Sequence, residues 1–253
     1  MSHFYKYNKG NPIFLEEIQT PAKAKKISGV WPSVTTVLGI IKDPFLDSIY
    51  KPRKITELAR ENPDMFWQDI ADLTYGTRES PVNGEQIPSS EFGTSVHKRI
   101  EQLILSSMGE KPLLVEETPW DKWAQPFVDW CKETEVEPIA VEHMLGEGSV
   151  KIVGSVDFIG KDSAGKVFLA DYKCRSNCKG KGKFYDKDTQ QLAIEAWMLK
   201  KRAKLDYVPA CISICIDCET QEHYHKTWSD EQVEKGIEIA KLCSKLYWKT
   251  RMT

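Results

Sequence analysis

The chain has 253 residues, 41% hydrophobic and 28% charged, ordinary proportions for a folded globular protein and too apolar for a disordered one. Lys and Arg number 35 against 37 Asp and Glu, giving a formal net charge of -2 and a pI near 6.3. This excludes a strongly basic, passive nucleic-acid binder but leaves room for a local basic channel beside an acidic centre. No apolar run is long enough to span a bilayer and no signal peptide or lipidation motif is visible, so a cytoplasmic protein without a membrane partner is expected. The seven cysteines, odd in number and scattered, fit a reducing compartment.

His3–Tyr7 and Ile13–Ile18 read as short strands, and Lys23–Lys26 as a solvated basic run. Pro32 ends what precedes it, Ser33 is a good N-cap, and Val34, Val37, Leu38 and Ile41 recur at helical spacing. The β-branched residues of this stretch leave a strand open as well. Pro44 opens a helical stretch to about Glu61, with Phe45, Leu46, Ile49, Ile55, Leu58 and Ala59 as apolar positions and Pro52 bending it. Asp64–Tyr75 reads as another helix, and Gly76–Ser90, carrying Gly76, Pro81, Gly84 and Pro88, as a mobile loop. Residues 42–90 thus read as a helical insertion with a loop, suited to folding over a substrate or to packing alone.

In Glu91–Ile104, Thr94 or Ser95 can cap a helix with the apolar stripe Val96, Ile100, Leu103 and Ile104. His97 and Glu101 share one of its faces, a spacing more common in surface contacts than in metal sites. Pro119–Glu133 is a helix whose Trp120, Trp123, Phe127 and Trp130 read as core. Three strands follow, Ile139–Leu145, Val150–Ile159 and Val167–Tyr172, the last two joined by the turn residues Asp162-Ser163-Ala164-Gly165. Cys174–Asp186 is a lysine-rich loop, and Asp188 or Thr189 caps a helix to about Lys201 with Leu192, Ala196 and Leu199 facing inward. Ala210–Asp217 is an apolar strand, His223–Thr227 pairs with or edges it, and Asp230–Lys249 is a closing amphipathic helix. The order helix, three strands, helix, strand predicts an α/β layered core rather than a repeat array, in one elaborated domain over residues 1–253 or a core with a helical appendage.

Chemistry concentrates between Gly154 and Lys173. Asp157 sits in one apolar run, Asp171 closes the next, and Lys173 follows by two positions, so Asp171 and Lys173 leave one face of a strand. Two buried carboxylates beside one ammonium are costly unless a cation joins them, and hard carboxylate oxygens suit Mg²⁺ or Mn²⁺. Such an ion can activate water and stabilise charge on phosphate oxygens. A lone Asp-x-Lys occurs on many surfaces; the apolar strands and the upstream acid give this one its weight.

Six segments in order then resemble the PD-(D/E)XK nuclease superfamily, specifically its RecB-like exonuclease branch, to which phage exonucleases and the mitochondrial genome maintenance exonuclease are similar. They are Pro32-Ser-Val-Thr-Thr-Val-Leu38, Gly93-Thr94-x-x-His97-x-x-x-Glu101, Val141-Glu142, Gly154-x-x-Asp157, Asp171-Tyr172-Lys173 and Gln191-Leu-Ala193. The resemblance implies a restriction-endonuclease-like αβββαβ core, a mixed central sheet flanked by helices, with the N-terminal helical insertion near a DNA channel. It implies Asp157, Asp171, His97 and the carbonyl of Tyr172 as metal ligands, Lys173 as the catalytic lysine, and Gln191 as a helix glutamine holding DNA or that lysine. Glu101 and Glu142 become outer-shell acids or structural partners. Ser33 and Thr35 of the first segment, with Lys179, Lys181 and Lys183, become DNA contacts, although a solvated loop accounts equally well for the lysines. Trp31, Phe66 and Trp67 are open to base stacking but fit core packing better. Glu195 departs from the family, which usually has tyrosine four residues after the glutamine.

The implied activity is that of a Mg²⁺- or Mn²⁺-dependent exonuclease on single-stranded DNA or DNA ends, in recombination, repair or phage replication, with a recombination or repair protein as a partner. A structure-selective endonuclease and a catalytically silent DNA-binding relative are the alternatives, the latter opposed by the retention of Asp157, Asp171 and Lys173. Cys211, Cys215 and Cys218 cluster late, but Cys131 is the first cysteine and follows His97, so no iron–sulfur cluster is expected.

Overall fold

The computed structural model describes residues 3–8, 11–41, 51–65, 70, 74, 76–109 and 116–252. The expected helical positions Phe45, Leu46 and Ile49, the aromatics Phe66 and Trp67, and most of the expected helix 64–75 lie outside the described residues. The chain divides into two compact units, residues 1–40 with 127–253, and residues 41–126.

The N-terminal segment forms β1 (Phe4–Asn8), β2 (Asn11–Phe14) and β3 (Val30–Pro32), in the order β2-β1-β3 with antiparallel pairing, and a short helix α1 (Pro21–Ala24). Helix α2 (Val34–Leu38) settles the helix-or-strand ambiguity of its β-branched stretch. The Ser33 hydroxyl accepts the Thr36 N–H at 3.0 Å, and Val34, Val37 and Leu38 are buried, so a cap and tertiary packing override the propensity of the β-branched side chains.

In the 41–126 unit, α3 (Lys51–Glu61) carries Pro52 and has no fully buried residue. The segment expected as a loop contains an antiparallel hairpin, β4 (Thr77–Glu79) and β5 (Gln86–Pro88). Its turn closes through Ser80 N–H to the Glu85 carbonyl (2.7 Å) and Gly84 N–H to the Ser80 carbonyl (2.9 Å), with Gly84 at φ +75. Strands of three residues leave no readable alternation, so only the turn residues were visible in sequence.

Helix α4 (Ser89–Ser107) begins five residues before the expected Thr94 cap. Thr94 instead donates its hydroxyl to the Ser90 carbonyl at 2.9 Å, the back-bonding of a residue already inside a helix. Pro88 precedes the first turn and supplies the stop. Phe92, Val96, Ile100 and Ile104 are buried along one stripe, and Phe92 packs edge-on against Trp120 and Trp123 at 5.2 and 5.0 Å. Arg99, 4% exposed, pairs with Asp121 through two of its nitrogens and donates a further bond to the Glu116 carbonyl at 2.9 Å.

Helix α5 (Asp121–Glu133) runs through the boundary between the units, with Pro126 inside it. From there the core sheet is built of β6 (Glu137–Glu147), β7 (Ile152–Lys161), β8 (Val167–Arg175), β9 (Ala210–Asp217) and β10 (His223–Thr227), in the order β10-β9-β8-β7-β6. All neighbours pair antiparallel except β8 and β9, which are parallel and joined over the sheet by helix α6 (Asp186–Ala203). Helix α7 (Asp230–Tyr247) packs on α6, where Gly236 lets the two approach: a Cβ there would lie 2.8 Å from the Ala193 methyl. The mixed sheet flanked by helices is the expected α/β architecture. On one face Leu169, Leu192, Ala196, Val233 and Ile237 join α2 in the main core. The other face is aromatic: Phe127 meets Phe158 at 5.2 Å and Tyr172 at 5.1 Å, and Trp130 meets Phe168. Each fully buried aromatic contributes about 2 kcal/mol or more through apolar area removed from water.

Candidate active site

The β7–β8 ladder pairs Lys161 with Val167 through to Phe158 with Ala170 and goes no further. Asp157 and Asp171 are the next residues on each strand, so both acids stand where the strands part. The parting is filled by Asp157 itself: its carboxylate accepts the Tyr172 N–H at 3.2 Å, and its carbonyl accepts the Tyr172 hydroxyl at 3.3 Å. Tyr172 is fully buried, with its ring in the aromatic layer. Alternation along β8 sends Asp171 and Lys173 to the opposite face, toward α6.

Asp157 and Asp171 are 8% and 2% exposed. The Lys173 ammonium donates to Asp171 Oδ1 at 2.5 Å and lies 3.8 Å from Asp157 Oδ2. Burial works against its charge, but Asp171 and then Asp157 overcome that and hold its pKa above the ordinary lysine value. On the far side, β9 holds the strand end rigid through parallel pairing of Asp171 with Ser213 and Lys173 with Cys215.

Glu142 joins this group from β6. The register pairs Val141 with Phe158 and His143 with Val156, which sets Glu142 opposite Asp157. Carboxylate oxygens of the two lie within 4.8 Å of one another, and Glu142 accepts the Ser155 hydroxyl at 3.2 Å. Glu142 also has φ 46, a left-handed conformation inside a strand. For a residue with a side chain this costs roughly 1–2 kcal/mol, and such strain concentrates at functional sites. Sequence placed Glu142 in the second rank; its position across the ladder makes it a direct neighbour of the acid pair.

Helix α6 brings Gln191, half-buried, and one turn later Glu195, 1% exposed. Glu195 leans on β7 at Gly154, where an added Cβ would lie 2.8 Å from its Oε1 and 2.9 Å from its Cγ. Gly154 is therefore needed for space: it accommodates the carboxyl occupying the family's tyrosine position. Burial, followed by Asp171 and Asp157, pushes the Glu195 carboxyl well above the usual range, against the pull of Lys173 and a hydrogen bond with Gln191. Burial thus favours the protonated form of Glu195, which was visible in sequence only as a departure from a pattern.

The remaining expected residues fall into three places. His97 and Glu101, both half-buried, belong to α4 in the 41–126 unit. Ser33 is buried in its capping role, Thr35 beside it is exposed, and Trp31 stacks on Tyr7 with centroids 3.8 Å apart, the packing role favoured for it. Lys179 and Lys181 are exposed on the connection after β8, whereas Lys183 donates its ammonium to the Ser176 carbonyl at 2.7 Å and closes that connection on itself. Helix α6 is capped by Tyr185 rather than Asp188 or Thr189; Asp188 accepts the Tyr185 N–H at 3.0 Å and the Arg175 guanidinium at 2.8 Å. His223 and His225 lie on β10 as expected.

On the core sheet, Asp157, Asp171 and Glu142 offer hard carboxylate oxygens, with the Lys173 ammonium beside the first two. That composition fits a divalent cation of the Mg²⁺ or Mn²⁺ class better than a soft metal. No helix among the described residues is long and apolar enough to cross a membrane.

The sequence profile of the PD-(D/E)XK nuclease superfamily matches residues 66–237. Among solved structures, the chain is similar to a candidate exonuclease from Eubacterium rectale, with 7% identity, coverage of 84% of this chain and 88% of that one, and a TM-score of 0.42. It is also similar to SSO0001, with 14% identity, coverage of 84% of each chain and a TM-score of 0.34. None of the curated proteins matches the chain.

Proposed function

Because the chain belongs to the PD-(D/E)XK nuclease superfamily, we propose that it is a metal-dependent DNA exonuclease, acting on single strands or DNA ends in recombination, repair or phage replication. The observation that carries this reading is the convergence of Asp157, Asp171 and Lys173 at the parted end of β7 and β8, with Glu142 across the ladder.

In this reading Asp157, Asp171, the Tyr172 carbonyl and His97 hold Mg²⁺ or Mn²⁺, with Glu142 and Glu101 in supporting roles. The bound ion supplies an activated water and neutralises charge on the scissile phosphate. Lys173 starts as the partner of Asp171. Its ammonium would orient the attacking water and stabilise negative charge on the phosphate in the transition state. Gln191, held by Glu195, steadies Lys173 or the DNA. Lys179 and Lys181 reach the backbone phosphates, and their contribution falls steeply with salt. Residues 42–90 act as the insertion over the channel, within a single nuclease domain.

The test is digestion of end-labelled single-stranded and duplex DNA with Mg²⁺, Mn²⁺ or EDTA, comparing the chain with Asp171→Asn. Metal-dependent shortening from an end, absent in the variant, is the expected result. Internal cutting would replace the exonuclease with a structure-selective endonuclease. No cleavage by folded, metal-loaded protein would leave a silent DNA-binding relative.

A further inference from the structure

The chemistry above uses none of the seven cysteines, yet two of them touch. Cys178 Sγ and Cys215 Sγ are 3.4 Å apart, and both residues are 1% exposed. Cys215 lies in β9 directly opposite Lys173 in the parallel register. Cys178 belongs to the connection between β8 and α6, the segment with Lys179, Lys181 and Lys183, and it is the only buried residue from 174 to 188.

These thiols are among the contacts that hold that connection to β9. Besides the sulfur contact, the Lys183 N–H donates to Cys215 Sγ at 3.4 Å, and Cys178 is hydrogen-bonded to Asp217 at the end of β9. The backbone around Cys178 turns through left-handed conformations, with Asn177 at φ 56 and Lys179 at φ 52 beside glycines 180 and 182 at φ 72 and 70. Left-handed residues with side chains and exposed neighbours mark a segment that opens at low cost.

Buried cysteines often serve only as small apolar side chains. Two thiols in mutual contact, one on a rigid strand and one on a pliable connection, do more. We propose that Cys178 and Cys215 are a dithiol that closes to a reversible disulfide, pinning the lysine-bearing connection to β9 one strand away from Lys173. A disulfide needs sulfurs about 2.05 Å apart, and the remaining approach of roughly 1.4 Å falls to the connection rather than to β9. With hydrogen peroxide as oxidant, one thiolate attacks the peroxide oxygen, breaking the O–O bond and giving a sulfenic acid and hydroxide. The second thiolate attacks the sulfenic sulfur, forming the S–S bond and expelling the second hydroxide. The two thiol protons convert both hydroxides to water, so two thiols and one peroxide give one disulfide and two waters. Burial raises the Cys178 thiol to about 12, with Cys215 and Asp217 adding to the shift. Oxidation therefore proceeds through opening of the connection rather than in its closed state.

The experiment treats the full chain with hydrogen peroxide, alkylates it, and maps its peptides without reduction. The expected result is a Cys178–Cys215 linked peptide that dithiothreitol removes, with titratable thiols falling from seven to five. Cys178→Ser and Cys215→Ser should each abolish the linked peptide; Cys178→Ala replaces the serine variant if that does not fold. A second readout is limited trypsin cleavage after Lys179, Lys181 and Lys183, which should slow about tenfold on oxidation and recover on reduction. Other pairings, or seven unreacted thiols under conditions that oxidise the urea-unfolded chain, would overturn the proposal. A linked peptide with unchanged trypsin cleavage would overturn the pinning. Neither readout needs nuclease activity, so this proposal and the nuclease reading fail separately.

Discussion

Two buried charge clusters invite comparison. In the 41–126 unit, Arg99 faces one carboxylate, Asp121, and its remaining N–H groups reach Gln102 and the Glu116 carbonyl. Burial alone would raise the Asp121 carboxyl, but the Arg99 hydrogen bond and charge hold it below its ordinary value. Charge and hydrogen bonds balance, which is how a structural ion pair is built. At the end of β7 and β8 the carboxyl groups cluster. One ammonium serves Asp157 and Asp171 while Glu142 stands opposite Asp157, and burial, followed by the charges of Asp171 and Asp157, raises the pKa of Glu195 nearby. Balanced charge holds a helix in place; clustered carboxylates suit a cation.

The largest effect expected from that contrast is on catalysis. Asp171→Asn and Lys173→Ala should each lower DNA cleavage by about 10²–10³-fold or more, the scale of losing a transition-state donor, measured in single-turnover assays. The Asp171→Asn thermal midpoint should stay close to that of the parent chain, because the site clusters carboxyl groups.

Arg99→Ala should do the reverse. It leaves Asp121 partly buried without its cation and should cost roughly 3 kcal/mol in urea unfolding, the low end for a broken buried pair because Asp121 retains some exposure. The stabilisation from Asp121, whose folded pKa lies below its reference value of 3.8, is present above 3.8 and lost as pH falls through the folded value. Arg99→Ala should remove that part of the acid-side slope.

Gly154→Ala sharpens the comparison at the Glu195 contact. The added methyl meets the carboxyl and should cost about 1–3 kcal/mol, and combining it with Glu195→Ala should give less than the sum of the single losses in a double-mutant cycle. The smallest effect is a slope. Glu195 folds with a raised pKa, so between its reference value of 4.5 and the folded value the native state holds a proton that the unfolded chain releases. Stability falls as pH rises through that window. Glu195→Gln should flatten the fall, with little difference from the parent chain below pH 4.5 and a widening advantage above it.

The placement of Asp157, Asp171 and Lys173 on neighbouring strands was legible because the two apolar runs are joined by the polar turn residues Asp162-Ser163-Ala164-Gly165. The layered order of helix and strands was legible for the same reason. Glu142 was undervalued because its place depends on the β6 register and a left-handed φ, neither of which leaves a local mark. Glu195 looked like a defect because the contact that explains it, Gly154, is 41 residues away (195 − 154) on another element. The α4 start was misplaced because Thr94 and Ser95 are good caps in isolation, and only the pairing of Thr77–Glu79 with Gln86–Pro88 shows that Pro88 sits between strand and helix.

The most direct measurement is the thermal midpoint of the parent chain, Asp171→Asn and Arg99→Lys over a Mg²⁺ titration with a Ca²⁺ control. The carboxylate cluster predicts a Mg²⁺-dependent rise in the parent chain and in Arg99→Lys, reaching about 2.7 kcal/mol at a hundredfold excess over Kd, and its loss in Asp171→Asn. An equal rise in Asp171→Asn, or no rise in the parent chain, would contradict a cation site at the parted end of β7 and β8.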